Sequence, residues 1–163
     1  RKPQAMSTPE NLPSQAQIQR ASEVERLPFS PTSLFRVVNE GGPGQPDIYE
    51  EHSARGDGPP MHRHPWPSWE LVLDGEIEVI VDGQTFHLGS GDAIYIPPNA
   101  VHSYMVTSDK ARCVGVNLSD GRFPQLQRQA VEILASTPPD MGKLVAMAAT
   151  CGVEVVGPPM AAH

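Results

Sequence analysis

From Ser33 to Leu118 short apolar runs recur with turn residues between them: "LFRVVN", "IYEEHSAR", "WELVLDG", "EIEVIVDG", "QTFHLGSG", "AIYIPP", "HSYMV" and "RCVGVNL". Many short strands punctuated by Gly, Pro and Asp predict an all-β unit, an antiparallel sandwich or barrel. One hairpin is nearly explicit, because Asp82-Gly83 between "EIEVIV" and "QTFHL" supplies the positive φ angles of a tight type I′ turn. After Gly121 the period becomes helical. Pro124 suits a first helical turn, and Leu126, Ala130, Ile133 and Leu134 share one face. A second helix is expected after "PPD", with Met141, Leu144, Val145 and Ala148 on one stripe and Gly152 as its stop. The ending "VEVVGPP" reads as a short extended segment.

At 163 residues the chain is one unit with tails. Residues 1–30, rich in Pro, Ser, Gln and Asn, read as an arm that needs another surface to order it. Residues 1–5 of that arm, ahead of Met6, read as a cloning remnant. The barrel is expected over 31–120 and a helical tail over 121–163. Twelve basic side chains against nineteen acidic ones give a net charge of −7, with the basic residues scattered. That balance argues against nucleic acid and anionic membranes as partners. The longest apolar runs are strand-sized and nothing near the start resembles a signal peptide, so the expectation is a soluble, cytoplasmic protein. Cys113 and Cys151 lie far apart without CxxC spacing, and both are expected to be reduced and structural.

Candidate chemistry concentrates in "MHRHPWPSWELVLDGE". Residues two apart on a strand point the same way, so His62 and His64 present both imidazoles to one face. Neutral imidazole suits Fe, Ni, Cu and Zn. Histidines that merely pack in a core or sit on a surface give the same short motif.

The surroundings change that balance. Gly56, His62, Arg63, His64 and Gly75, followed by Gly91, Pro97, Asn99 and His102, stand at spacings that resemble the two signature motifs of the cupin superfamily. The resemblance runs from Gly56 to Val106 and, with its flanking strands, from about Ser33 to Leu118. It implies a double-stranded β-helix, the cupin jelly-roll barrel, with a divalent transition metal (Fe, Mn, Ni, Cu or Zn) held inside by His62, His64 and His102. Asn99 stands in a glycine slot, where its side chain tolerates a left-handed turn. Two positions depart from the pattern. Counted back from Gly75, the metal-binding glutamate slot falls on Ser68, and the closing Asn slot on Val106.

Glu70 lies one side-chain repeat beyond Ser68 and so faces the interior with it, while Trp69 and Leu71 face out. A carboxylate there must be paired, ligate a metal or take up a proton. Three roles fit: a further metal ligand, a general acid or base beside the metal, or a hydrogen-bond partner for a ligating histidine. A phase shift in "PWPSW" would instead put Glu70 on the outer face. Tyr104 and Val106 share parity with His102 and are expected to line the interior with Ser68. Tyr104 is a candidate hydrogen-bond donor to substrate, or a tyrosine that closes a core. Trp66 either stacks on a planar ligand at the barrel mouth or plugs the space between loop and sheet. Glu50 and His52 share a face that supports the site or lies exposed; His87 and Arg63 face outward. Trp69, Leu71 and Leu73 make an outward apolar patch, which predicts a homodimer.

The resemblance is strongest to quercetinase-type dioxygenases. It implies a metal-dependent enzyme acting on a small organic molecule, and the inward parity of Glu70 and Tyr104 makes those two the catalytic candidates. A non-oxidative isomerase, cyclase or lyase on the same site, and a small-ligand-binding barrel without turnover, are the alternatives.

Overall fold

The computed structural model describes residues 12–161. Residues 1–11, which include the expected cloning remnant, and residues 162–163 lie outside the described residues. Two antiparallel sheets face each other. The first holds β1 (Arg26–Pro28), β2 (Leu34–Asn39), β3 (Asp47–Ala54), β10 (Lys110–Asn117), β5 (Ser68–Asp74) and β8 (Ala93–Ile96), in that spatial order. The second holds β11 (Glu154–Pro159), β4 (Pro60–Arg63), β9 (His102–Val106), β6 (Ile77–Val81) and β7 (Gln84–Leu88). Consecutive strands keep switching between the sheets, which gives the jelly-roll barrel.

The strands alternate as the sequence pattern requires. In β3, Asp47, Tyr49, Glu51 and Ser53 are buried while the residues between them are half-buried. In β5, Ser68 and Val72 are buried, and Trp69, Leu71 and Leu73 are exposed. The hairpin between β6 and β7 turns at Asp82 and Gly83, with φ of 47° and 82°. Asn99 has φ of 65°, the left-handed turn expected of it, and sits where its N–H donates to the His64 carbonyl.

One end of the barrel is filled by Val72, Ile77, Val79, Leu88, Val106, Ala111 and Cys113. The other end is covered by α1 (Arg122–Leu134) and α2 (Met141–Thr150). Helix α1 buries Ala130 and Ile133 as its period predicts. Helix α2 starts at Asp140, whose carboxylate caps the Lys143 N–H, and turns out at Gly152 with φ of 84°. Its buried stripe differs in detail from the expectation. Met147 and Cys151 pack on α1 with Leu144 beside them, and Ala148 packs with Trp66 and Val153, whereas Met141 and Val145 are 49% and 40% exposed. Leu144, Met147, Ala148 and Cys151 recur at the helical i, i+3, i+4 and i+7 spacing, and Val145 lies off that row.

Two segments outside the central run complete the sheets. "VEVVGPP" supplies β11, which pairs with β4 and places Glu154 beside Arg63, 2.8 Å apart. Within the span read as an arm, Arg26–Pro28 pairs with β2 and buries Leu27 against Phe35, Val37 and Tyr49.

Candidate metal centre and its cavity

His62 enters from β4 and His102 from β9, and the two are directly paired across the sheet. His64 follows β4 in the loop. Their ring centroids lie 4.3 Å (His62 to His102), 4.9 Å (His64 to His102) and 5.8 Å (His62 to His64) apart. One ligand nitrogen from each falls within 4.8 Å of the others. Each ring is oriented by its own strand: His62 Nδ1 bonds the Pro60 carbonyl at 2.7 Å, His64 Nδ1 the Trp66 carbonyl at 2.9 Å, and His102 Nδ1 the Ala100 carbonyl at 2.8 Å. A carbonyl accepts, so all three Nδ1 atoms carry the proton and each Nε2 keeps its lone pair. Burial favours the neutral rings. It pushes His62 down to about 4 and His64 down to about 3, with His102 adding repulsion in both, and it lowers His102 as well. Neutral, oriented imidazoles are the donor set a divalent transition metal needs.

A cavity of about 380 Å³ opens onto these rings. Ser68, Glu70 and Tyr104 line it, as do Glu51, Gly115 and Asn117 of the first sheet. Its outer half is apolar, walled by Phe123, Leu126, Ala130, Leu144 and Val153 of the helical tail and by Phe29. Trp66 lies elsewhere. It is 2% exposed, stacks on His64 at 4.5 Å, donates to Asn117 Oδ1 at 3.2 Å and carries the Arg122 guanidinium on its face. It holds His64 against the helices, outside the cavity lining. Val106 is buried in the apolar end of the barrel.

Glu70 faces inward with Ser68, across from Gly115 on β10. Its neighbours are Glu51 and Cys113, and the ligand atoms of those three lie within 4.8 Å of one another in a cluster separate from the imidazoles. Burial, then the Glu51 charge and a hydrogen bond with Glu51, hold the Glu70 carboxyl well above the usual carboxylate range. Glu51 is raised by burial too, and the Glu70 hydrogen bond works against that rise. Burial and both carboxyls also push the Tyr104 hydroxyl well up.

Glu51 and Gly115 were not singled out from the sequence. In "IYEEHSA" apolar Ile48 and Tyr49 fall on opposite faces, so parity alone does not say which glutamate points in. The glycine within "RCVGVNL" was the available signal, since a mid-strand glycine marks a close approach. Glu50 and His52 lie on the outer face, bonded to each other at 2.6 Å, with Arg36 on Glu50 at 2.7 Å. His87 is exposed. Cys113 and Cys151 are both free and buried.

A jelly-roll barrel with three inward imidazoles defines a class, the β-barrel proteins that gather histidines on one inner face. Residues 49–118 match the Cupin_2 family, described as a cupin domain, and with the relative below they support a cupin-superfamily protein. The chain is 33% identical over 103 residues to quercetin 2,3-dioxygenase of Bacillus subtilis (strain 168), a match that takes in 61% of this chain and 30% of that protein. The chain thus spans less than a third of this relative's length. Among solved structures, KdgF from Halomonas sp. superposes with a TM-score of 0.57 at 18% identity, over 63% of this chain and 93% of its own. The polyketide cyclase RemF from Streptomyces resistomycificus does so with a TM-score of 0.53 at 15% identity, over 72% and 99%. These two likenesses describe the fold. Among the described residues, no helix is long and apolar enough to cross a membrane.

Proposed function

We propose that this chain is a metal-dependent cupin enzyme of the quercetinase-like dioxygenase kind, acting on a small organic molecule with an acidic enol, catechol or 1,3-dicarbonyl group. The supporting observation is the set of His62, His64 and His102, each with Nδ1 spent on a backbone carbonyl and Nε2 left to ligate. A divalent transition metal on these nitrogens supplies Lewis acidity toward a substrate oxygen. The protein's own groups do the rest. The apolar wall formed by the helical tail takes the substrate's body and excludes water. Tyr104, kept protonated by its buried surroundings, donates a hydrogen bond to a substrate oxygen. Glu70 exchanges the acidic proton.

The buried carboxyl pair favours a second reading, a non-oxidative isomerase, cyclase or lyase, because proton transfer alone is enough for those reactions. Metal analysis of wild type beside His62→Ala, Ser68→Ala and Glu70→Gln tests the site. His62→Ala should lose the metal; Glu70→Gln should retain it and lose turnover. Oxygen uptake with a flavonol or 1,3-dicarbonyl supports the dioxygenase, whereas anaerobic turnover or activity with zinc supports the second reading. Protein without stoichiometric metal, whose ligand binding survives His62→Ala, would leave a binding barrel.

The same proposal includes a homodimer through the outer face of the first sheet. Trp69, Leu71, Leu73 and Tyr95 are 37% to 52% exposed there, and Trp69 packs on Tyr95 at 5.3 Å. Beside them Arg36 and Arg112 flank Glu50. A face that carries both an apolar strip and charges of both signs can complement its own copy about a two-fold axis.

A further inference from the structure

Glu51 and Glu70 converge over Gly115 from the two strands that flank β10. A Cβ at Gly115 would stand 2.8 Å from Glu51 Oε1 and 3.3 Å from Glu70 Oε2, so the absent side chain is what lets both carboxyls occupy one space. Each keeps its other oxygen buried without a protein partner: Glu51 Oε2 and Glu70 Oε1. Both residues line the metal-site cavity. Among the described residues no lysine or arginine lines that cavity, and the titratable groups facing the pair are Cys113 on β10 and Tyr104 on β9. Two carboxylates this close in an apolar space, with no cation between them, cannot both be ionised.

We infer that Glu51 and Glu70 hold one proton between them over Gly115 and work as a two-carboxyl relay, in which Glu70 takes a proton from the substrate as Glu51 receives the one Glu70 gives up. The inference rests on the proton-transfer role proposed for Glu70 and adds the residue that makes it a base. The balance is complete without an oxidant. The substrate's acidic O–H or C–H bond breaks and its electron pair stays on the substrate. A new O–H bond forms at Glu70 Oε1, the Glu70 Oε2–H bond breaks, and that proton joins Glu51 Oε1. Negative charge moves from Glu51 to the substrate, and both carboxyls end neutral. Glu51 acts through Glu70 and does not touch the substrate.

Infrared difference spectroscopy of the metal-loaded protein with ¹³C-labelled glutamate reads the shared proton without any substrate. Wild type at neutral pH should show the C=O stretch of a protonated carboxyl. In Glu51→Gln that stretch should disappear at a lower pH than in wild type, because burial still favours the protonated Glu70 but the Glu51 charge and hydrogen bond no longer add to it. Cys113→Ser should keep the stretch. Absence of that absorption in wild type, or a titration left unmoved by Glu51→Gln, overturns the relay. So does a second equivalent of cobalt(II) giving a thiolate charge-transfer band that Cys113→Ser abolishes, since the cluster would then be a cation site. Where a substrate is turned over, Glu51→Gln should lower kcat by about 10²–10⁴-fold with KM held, shift the pH profile, and recover in part with Glu51→Asp. An unchanged profile also overturns it. If no substrate is found, the spectroscopic result stands by itself and the failure belongs to the proposed activity.

Discussion

At the scale of single residues, the interior of this barrel is decided by what buried polar groups find to bond. His62, His64 and His102 find backbone carbonyls two residues away along the chain, a local bond that fixes how each ring is turned. Glu70 and Glu51 find each other, and this has a consequence for stability. Both folded-state values lie above those of a free carboxyl, so their contribution is complete below about pH 4.3 and is lost as pH rises through the raised values. Chemical denaturation of wild type should therefore give a midpoint that falls as pH rises above about 4.3. In Glu70→Gln the fall should be smaller. Trp66 shows the opposite case, a polar aromatic fully satisfied by Asn117. Trp66→Ala should cost about 3–5 kcal/mol by denaturant unfolding and weaken metal retention by freeing His64 from its stacked neighbour.

At the scale of elements, period-two alternation carries most of the site. One strand, β5, sends Ser68, Glu70 and Val72 inward and Trp69, Leu71 and Leu73 outward. The helices act differently: they supply the apolar wall of the cavity rather than any ligand. Their placement depends on short signals such as the Asp140 cap, which accepts from the Lys143 N–H at 3.0 Å. Asp140→Ala should destabilise the protein by about 1 kcal/mol, read as a lowered Tm. Gly58 marks another close approach, since a Cβ there would stand 1.9 Å from the Tyr104 carbonyl oxygen. Gly58→Ala should push β9 away and loosen the His102 side of the site, measurable as weaker metal binding.

At the scale of the whole molecule, the outer face of the first sheet remains apolar after the chain has folded. With the homodimer proposed for that face, Leu71→Arg should shift wild-type dimer to monomer in sedimentation experiments while metal content stays unchanged, because Leu71 points away from the cavity. A dimer that survives both Leu71→Arg and Trp69→Arg would remove this face from consideration.

The sequence by itself determined the strand run, the Asp82-Gly83 hairpin, both helices and which side chains share a face, His62 with His64 and Ser68 with Glu70. Each of these follows from local periods and turn chemistry, which a chain carries wherever its partners are. The second carboxyl was not legible. Glu51 and Glu70 are nineteen positions apart on strands that do not pair with each other, and they meet only because β10 lies between them with a glycine at the crossing. Trp66 likewise could be read as a ligand platform or a plug until α1 was packed over it, with Arg122 and Phe123 against its ring. Tertiary structure decided those cases because sheet order and helix docking are relations between distant segments. No local period records which strand will come to lie beside which.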